Sequence, residues 1–425
     1  MPNELSPYDR ERRLMPILVD ATIRGVRVDR EALAGMISLY EEAVEAAGAR
    51  VRAALAAPTL NIGSGKELAQ ALDRAGAVTH PVFTSKGNRS VKREVLEETI
   101  NDPELKACII YHNAIQKCLS DFIRKWYEFS ADDSRVHPNW NQVRSRDDFG
   151  GGKGARTGRL SCDHPNLQNP PNEYTIEVPE GLPEPPVLRT VFLPEEGHVW
   201  LKRDFSGQEV RIAAHFEDGV LLTAYVQNPS LDPHGMAQEM IKTLTGLQFE
   251  RKHVKITAFQ IIYGGGPNAV SGQVGCTYEE ARQLIDAYLK AFPGIAQLQR
   301  DTKRRGYSGL YIRTWGGRKY YTEPSKFVEK FGREMSFEYK LLNYLIQGSA
   351  ADQTKQCIID WYDRKRPADL FLATVHDEIN ISVPEQDWEE GMTILREAMD
   401  QNLFDVPMRS EGFMGYNWAD IKEAA

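Results

Sequence analysis

Hydrophobic and polar positions along the chain follow two periods, and the places where one gives way to the other mark its organisation. From Leu14 to about Arg52 apolar residues recur at helical spacing. The break at Ile23-Arg24-Gly25-Val26-Arg27-Val28-Asp29 predicts a turn, with Asp29 capping the next helix. Pro58 to Ser64 reads as a loop, with Ser64 placed to cap a helix through Leu68 and Leu72. Thr84 to Arg89 reads as a basic loop, and Pro103 to about Phe129 as a long helical stretch. These patterns predict an elongated helical lobe.

At Gly150-Gly151-Gly152-Lys153-Gly154 the pattern stops, because four glycines in five residues suit neither helix nor strand; a hinge or a site rim is expected there. The next seventeen residues, Ala155 to Pro171, are rich in side-chain donors and nearly empty of apolar groups. That composition fits a surface loop, and equally a set of contacts to sugars and minor-groove acceptors. Thr175 to Pro186 is acidic and proline-containing and predicts an exposed connector.

Val199-Trp200-Leu201 predicts a strand that ends on Asp204; Gly207 breaks the run and Val210, Ile212, Ala213 and Ala214 resume it. Taken alone, Asp204 before Ser206 and Gly207 is a cap. Asp232-Pro233-His234 opens a helix, and Arg251 to Gly264 forms another. In it Arg251, Lys255, Phe259 and Tyr263 recur every four residues, a step of only about 40° around a helix, so they share one face. The ridge reads as an ordinary amphipathic helix or as a nucleotide site, with cations for a triphosphate and rings for base and sugar. Gly264-Gly265-Gly266 ends that helix and lacks a phosphate-loop pattern. Helices follow through 279–306, then a hairpin over Tyr311–Tyr320 and a helix from Leu341 to Trp361. Leu370 to Val383 reads as two strands about a turn carrying His376, Asp377 and Glu378.

The 425 residues suggest roughly three lobes at about 150 residues per domain. No run approaches a membrane span, and the polar opening Met1-Pro2-Asn3-Glu4 lacks a signal peptide's apolar core, so an intracellular, cytoplasmic protein is expected. Five scattered cysteines without C-x-x-C spacing indicate neither disulfides nor zinc. The net charge of -8 is uneven: cations gather at Arg144–Arg159, Arg251–Lys255 and Arg300–Lys319. Each cluster alone is a solvated surface; together they suit an enzyme that moves along a polyanion.

Asp204 and Asp377 end separate strands and meet only in a shared sheet. Two unit charges about 4 Å apart repel by about 4 kcal/mol at an effective dielectric near 20. Divalent cations resolve that conflict, and oxygen-only ligands favour magnesium, which takes its remaining ligands from water and substrate phosphates. A pair of such ions activates one oxygen and stabilises another.

These residues resemble the polymerase region of family A DNA polymerases, the group of bacterial DNA polymerase I and many phage replicases. Asp204-Phe205-Ser206-Gly207-Gln208-Glu209 is similar to the family's first motif, Arg251 with Lys255, Phe259, Tyr263 and Gly264 to its second, and Val375-His376-Asp377-Glu378 to its third. Thr157–Ser161 with Pro165–Asn169, and Gln347–Asp352, resemble two further segments. The match runs from about Ile23 to near the C-terminus.

The resemblance implies an α+β right-hand fold: a helical thumb with its lead-in over 1–150, a palm with an antiparallel sheet over 151–230 and 341–425, and helical fingers over 231–340. It implies that Asp204, Asp377 and the Phe205 carbonyl bind two Mg2+ ions. Lys255 and Arg251 would hold the triphosphate of a dNTP, with Lys255 also acting on the leaving pyrophosphate and His234 touching the phosphates. Glu209 would exclude a ribose 2′-hydroxyl, Phe259 would lie on the sugar and Tyr263 would guard the templating position. Arg156, Arg159, Asn166, Gln168, Asn169, Gln347 and His376 would follow primer–template DNA. The implied activity is DNA-directed DNA synthesis; a single-subunit RNA polymerase and a non-catalytic primer–template binding subunit are the rivals.

Gly207 and Gln208 depart from the Gln and apolar residue usual in bacterial members, and the glycine favours a phage origin. Phe259 in place of Tyr implies discrimination against dideoxynucleotides. About twenty residues precede the resemblance, too few for exonuclease domains, so a separate exonuclease or processivity factor is a conceivable partner.

Overall fold

The computed structural model describes residues 5–84, 87–145, 153–329, 332–401 and 403–424. Gly150 to Gly152 of the expected hinge, Arg146, and residues 85–86 of the basic loop lie outside them.

A five-stranded sheet organises the chain, in the order Leu370–Val375, Glu378–Pro384, His198–Phe205, Ser410–Gly415, Ile421–Glu423. Every pairing is antiparallel. The central strand is buried along almost its whole length, which explains its unbroken apolar run: both faces are covered, so no polar face alternates with the apolar one. Side chains still alternate between two cores. Val199 and Leu201 join Ile379, Ile381 and Val383 beneath the helices Leu341–Arg364 and Trp388–Met399. Trp200 turns the other way, stacks on Trp418 with ring centroids 5.6 Å apart, and donates to Asn380 Oδ1 at 2.8 Å.

The first helix, Pro7–Arg24, packs on Leu341–Arg364 and sends Leu14, Ile17 and Leu18 into the sheet's core. The break after it is a strand as well as a turn. Val26–Val28 pairs with Arg135–Val136 on one side and Phe192–Leu193 on the other. Three residues carry too short an alternation to be read from sequence, and tertiary pairing supplies the missing signal. Gly25 makes the switch at φ 69, where an added Cβ would meet Val136 O at 2.9 Å. Asp29 caps the next helix as expected, accepting from Ala32 N at 2.9 Å.

Arg30–Ala54 packs along Pro103–Cys118, which continues through a π-helical turn at Leu119–Ile123 into Arg124–Phe129. Ser64 caps Gly65–Arg74 by accepting from Glu67 N. The connector over 175–186 is largely accessible, as expected, and is also strapped to these helices. Tyr40 Oη donates to Pro186 O at 3.0 Å, Tyr111 Oη donates to Pro183 O at 2.6 Å, and Arg50 donates to Glu180 O at 2.8 Å. Its acidic side chains concealed this, because the bonds are to backbone carbonyls.

Five helices, Pro233–Thr245, Arg251–Ile262, Pro267–Val274, Tyr278–Ala291 and Pro293–Tyr307, form a further lobe. The expected hairpin pairs Ile312–Arg313 with Lys319–Tyr320, and Leu341–Arg364 returns the chain to the sheet. Among the described residues no helix is long and apolar enough to cross a membrane.

Candidate active site

The register of the sheet sets the acids. Seven residue pairs run from Glu378 opposite Asp204 to Pro384 opposite His198, and on the other edge Glu411 stands opposite Asp204. Asp377 occupies the tight turn before Glu378, next to His376 at φ 59, and its carbonyl accepts from Phe205 N at 3.3 Å. Asp204 and Asp377 therefore share one end of the sheet.

Burial, then Asp377 and Glu378, push Asp204 up to about 7; burial likewise raises Asp377. Asp204 Oδ1 is buried with no hydrogen-bond partner among the described residues. An orphaned carboxylate oxygen beside a second acid is what a divalent cation satisfies, so the donor set fits such an ion. Glu378 is occupied elsewhere: it accepts from Asn380 Nδ2 at 2.7 Å and Trp418 Nε1 at 3.0 Å, with Lys202 at 3.4 Å. Among the described residues no group of three or more His, Cys, Asp or Glu forms a metal cage. A pair of carboxylates is a partial set, of the kind phosphate and water oxygens complete.

Beside the acids lies a cleft of about 590 Å³. Arg251, Lys255 and Phe259 line one wall with His234, and Ser206, Gly207 and Glu411 line the other. The expected ridge is real: the His234 and Phe259 rings lie 5.9 Å apart, as do Phe259 and Tyr263. Arg251 is held by Asp232 through bonds of 2.7 and 2.8 Å, whereas Lys255 has no ion pair among the described residues. Burial, then Lys255, push His234 down to about 4, so its imidazole is neutral at pH 7.

Tyr263 closes the helix Arg251–Ile262 and reaches into the palm, where its hydroxyl donates to Glu209 Oε2 at 2.8 Å. Arg159 forms an ion pair with Glu209 from the third side. Burial raises the Glu209 carboxyl while these two partners oppose the shift. Gln208, one residue earlier and 3% exposed, donates from Nε2 to Gln353 Oε1 at 3.0 Å, Thr354 Oγ1 at 3.2 Å and Ala350 O at 3.3 Å. Gly207 stands at φ 71 ahead of the helix Gln208–Glu217, with open space where a Cβ would lie.

The residues expected to follow DNA are divided. Arg159 reaches the Glu209 carboxylate and Gln347 lies near the Tyr263 hydroxyl, while His376 adjoins Asp377. Gln168 is buried and donates to Thr374 O at 3.0 Å, beneath the Asp377 turn. Asn166 and Asn169 line a separate groove of about 680 Å³ with Lys117, Asp121 and Tyr174. Arg156 lines a third cleft with Tyr263, Tyr339 and Lys340, and pairs with Glu323. Asp232, Glu411 and Gln353 were not legible as site residues: Asp232 reads as a helix cap, Glu411 lies in a segment whose pattern carries no chemical signal, and Gln353 stands just beyond the Gln347–Asp352 segment.

A family model described as DNA polymerase family A matches residues 30–420. The chain belongs to DNA polymerase family A. It is 29% identical over 432 residues to DNA polymerase I of Chloroflexus aurantiacus, covering 98% of this chain and 43% of that protein. It is 28% identical over 434 residues to DNA polymerase I of Bacillus subtilis, covering 97% of this chain and 45% of that protein. The chain thus spans less than half the length of these curated relatives. Both are bacterial, and the phage origin expected from Gly207 finds no support in them. The POL domain of Pol1 from M. smegmatis, solved in complex with DNA primer-template and dNTP, superposes with a TM-score of 0.80 at 24% identity, covering 97% of this chain and 70% of that one. The family A polymerase fold is therefore shared: an α+β right hand with helical thumb, antiparallel palm and helical fingers.

Proposed function

We propose that this chain is a DNA-directed DNA polymerase, adding a deoxynucleotide to a primer 3′-hydroxyl and releasing pyrophosphate. The observation that carries the reading is the meeting of Asp204 and Asp377 at one end of the sheet, beside a cleft walled by Arg251 and Lys255. Asp204, Asp377 and the Phe205 carbonyl would hold two Mg2+ ions, which when bound activate the attacking oxygen and stabilise the leaving one. Lys255, without an ion pair among the described residues, offers its charge to the triphosphate and the departing pyrophosphate. Arg251 exchanges Asp232 for phosphate. Neutral His234 donates a hydrogen bond to the phosphates without adding charge.

Glu209 fills the space a 2′-hydroxyl would need, while Phe259 lies along the sugar and Tyr263 at the templating position. Arg159, Gln347 and His376 bind the primer–template near its terminus, Asn166, Asn169 and Arg156 bind it farther away, and buried Gln168 instead supports the Asp377 turn through its bond to Thr374 O. The membership of DNA polymerase family A and the carboxylate at Glu209 disfavour an RNA polymerase, and the retained acids disfavour a binding subunit.

Single-nucleotide primer extension with magnesium tests the proposal. Asp377→Asn, which keeps shape and removes the charge, is expected to cut turnover by about a thousandfold, the scale of several kcal/mol of lost charge stabilisation. Wild-type turnover in that variant would refute the assignment.

A further inference from the structure

The palm-side wall of the nucleotide cleft carries a cation that none of the family motifs contains. Strand Ser410–Gly415 runs beside the strand of Asp204, with Ser410 opposite Phe205 and Glu411 opposite Asp204. One residue earlier, the Arg409 carbonyl accepts from Ser206 N at 2.8 Å. The backbone therefore fixes Arg409 beside the residue two positions beyond Asp204. Arg409 is exposed, lines the same 590 Å³ cleft as Arg251, Lys255 and His234, and its guanidinium has no hydrogen bond or ion pair among the described residues.

A second guanidinium lies close to it. Arg211 is buried, and its side chain donates to Ser206 O at 2.8 Å, Pro407 O at 2.7 Å and Pro229 O at 2.8 Å, with Tyr225 beneath it at 4.5 Å. Those acceptors satisfy its N–H groups but not its charge, which burial disfavours and Arg409 disfavours further, with Tyr225 and Asp400 opposing. Of the carboxylates lining the cleft, Asp232 holds Arg251, and Glu411 accepts from the Ser206 hydroxyl at 3.0 Å and forms no ion pair among the described residues. Two like charges on one wall, neither of them ion-paired among the described residues, leave a place that an anion relieves.

We infer that Arg409 is a triphosphate-binding residue, gripping the β- and γ-phosphates, and the pyrophosphate they become, from the wall opposite Arg251 and Lys255. This rests on the polymerase reading and extends it to the palm. A guanidinium suits the task because its planar fork meets two phosphate oxygens at once, and because it stays charged at every working pH. The ridge then holds one side of the polyphosphate and the palm the other. Losing the second side weakens the hold on the substrate and on the leaving group alike, while the acids that bear the chemistry are untouched.

Three measurements on wild type, Arg409→Ala and Arg409→Lys test this: single-nucleotide extension, product inhibition by inorganic pyrophosphate, and primer–template affinity by fluorescence anisotropy. In Arg409→Ala, KM for dNTP and the inhibition constant for pyrophosphate should each rise about tenfold, the order expected for losing a hydrogen bond to a charged group. Turnover should stay within about twofold and DNA affinity should not change, since only phosphate contacts are lost. Arg409→Lys should recover part of both constants. Wild-type constants in Arg409→Ala, or a loss of DNA affinity in their place, would overturn the inference while leaving the polymerase reading standing. A wild-type protein that extends no primer overturns both.

Discussion

Replacing Gln208 by leucine should destabilise the palm although the substitution is nearly isosteric and removes a buried polar group. The wild-type Nε2 carries two N–H bonds toward three acceptors, Gln353 Oε1, Thr354 Oγ1 and Ala350 O, at 3.0, 3.2 and 3.3 Å. Leucine removes two hydrogen bonds at about 1 kcal/mol each and strands the Gln353 carbonyl, a further cost of about 1–3 kcal/mol, against a partial gain from the added apolar surface. A net loss of about 2 kcal/mol follows. Gln353 is fully buried and its Nε2 already lacks a partner among the described residues, so Gln353→Leu should cost less, about 1 kcal/mol. In the double variant both amides are gone and two leucines face each other. It should fall short of the summed losses by a coupling of about 1–2 kcal/mol. Equilibrium urea unfolding reads this directly, followed by tryptophan fluorescence because Trp200 and Trp418 are buried against the sheet. A Gln208→Leu protein as stable as wild type, or a double variant equal to the sum of the singles, would refute the reasoning.

Two further outcomes follow from the site. Glu209→Ala should raise ribonucleotide incorporation relative to deoxynucleotide by about a hundredfold in kcat/KM, near the upper end of what one steric contact supplies; an unchanged ratio would remove Glu209 from sugar selection. His234 titrates near 4 in the folded chain against an ordinary 6.5, so the unfolded chain binds its proton first. The stability His234 contributes is complete above about 6.5 and is lost as pH falls toward 4, about 3 kcal/mol over that window. Gln in its place should flatten this part of the pH–stability curve, and a difference between the two proteins that stays constant with pH would exclude the effect.

Much of the site was legible because its chemistry is local. Asp204 ends an apolar run, Asp377 sits in a turn between two such runs, and four residues at helical spacing carry the cations and rings of the ridge. What stayed hidden is whatever depends on residues distant in sequence. Tyr263 and Glu209 are 54 positions apart, Arg159 and Glu209 are 50 apart, and Gln208 reaches partners 142 to 146 positions away. Periodicity says which face a residue occupies and nothing about what meets it there. The strand Val26–Val28 was missed for a related reason: its pairing partners, not its own pattern, make it a strand. Gln208 looked anomalous beside the apolar residue of bacterial members only while Gln353 was out of view.

The seven paired residues between Glu378–Pro384 and His198–Asp204 give the two acids an unusual kind of tolerance. Their spacing is an integer property. A β-ladder slips only by whole residues, each step turning every side chain to the opposite face, so small strains elsewhere in the molecule have no gradual path by which to draw the carboxylates apart. Errors in this part of the site are all or none. Substitutions in the surrounding helices can drift without retuning it, whereas one residue inserted into either strand changes its geometry completely.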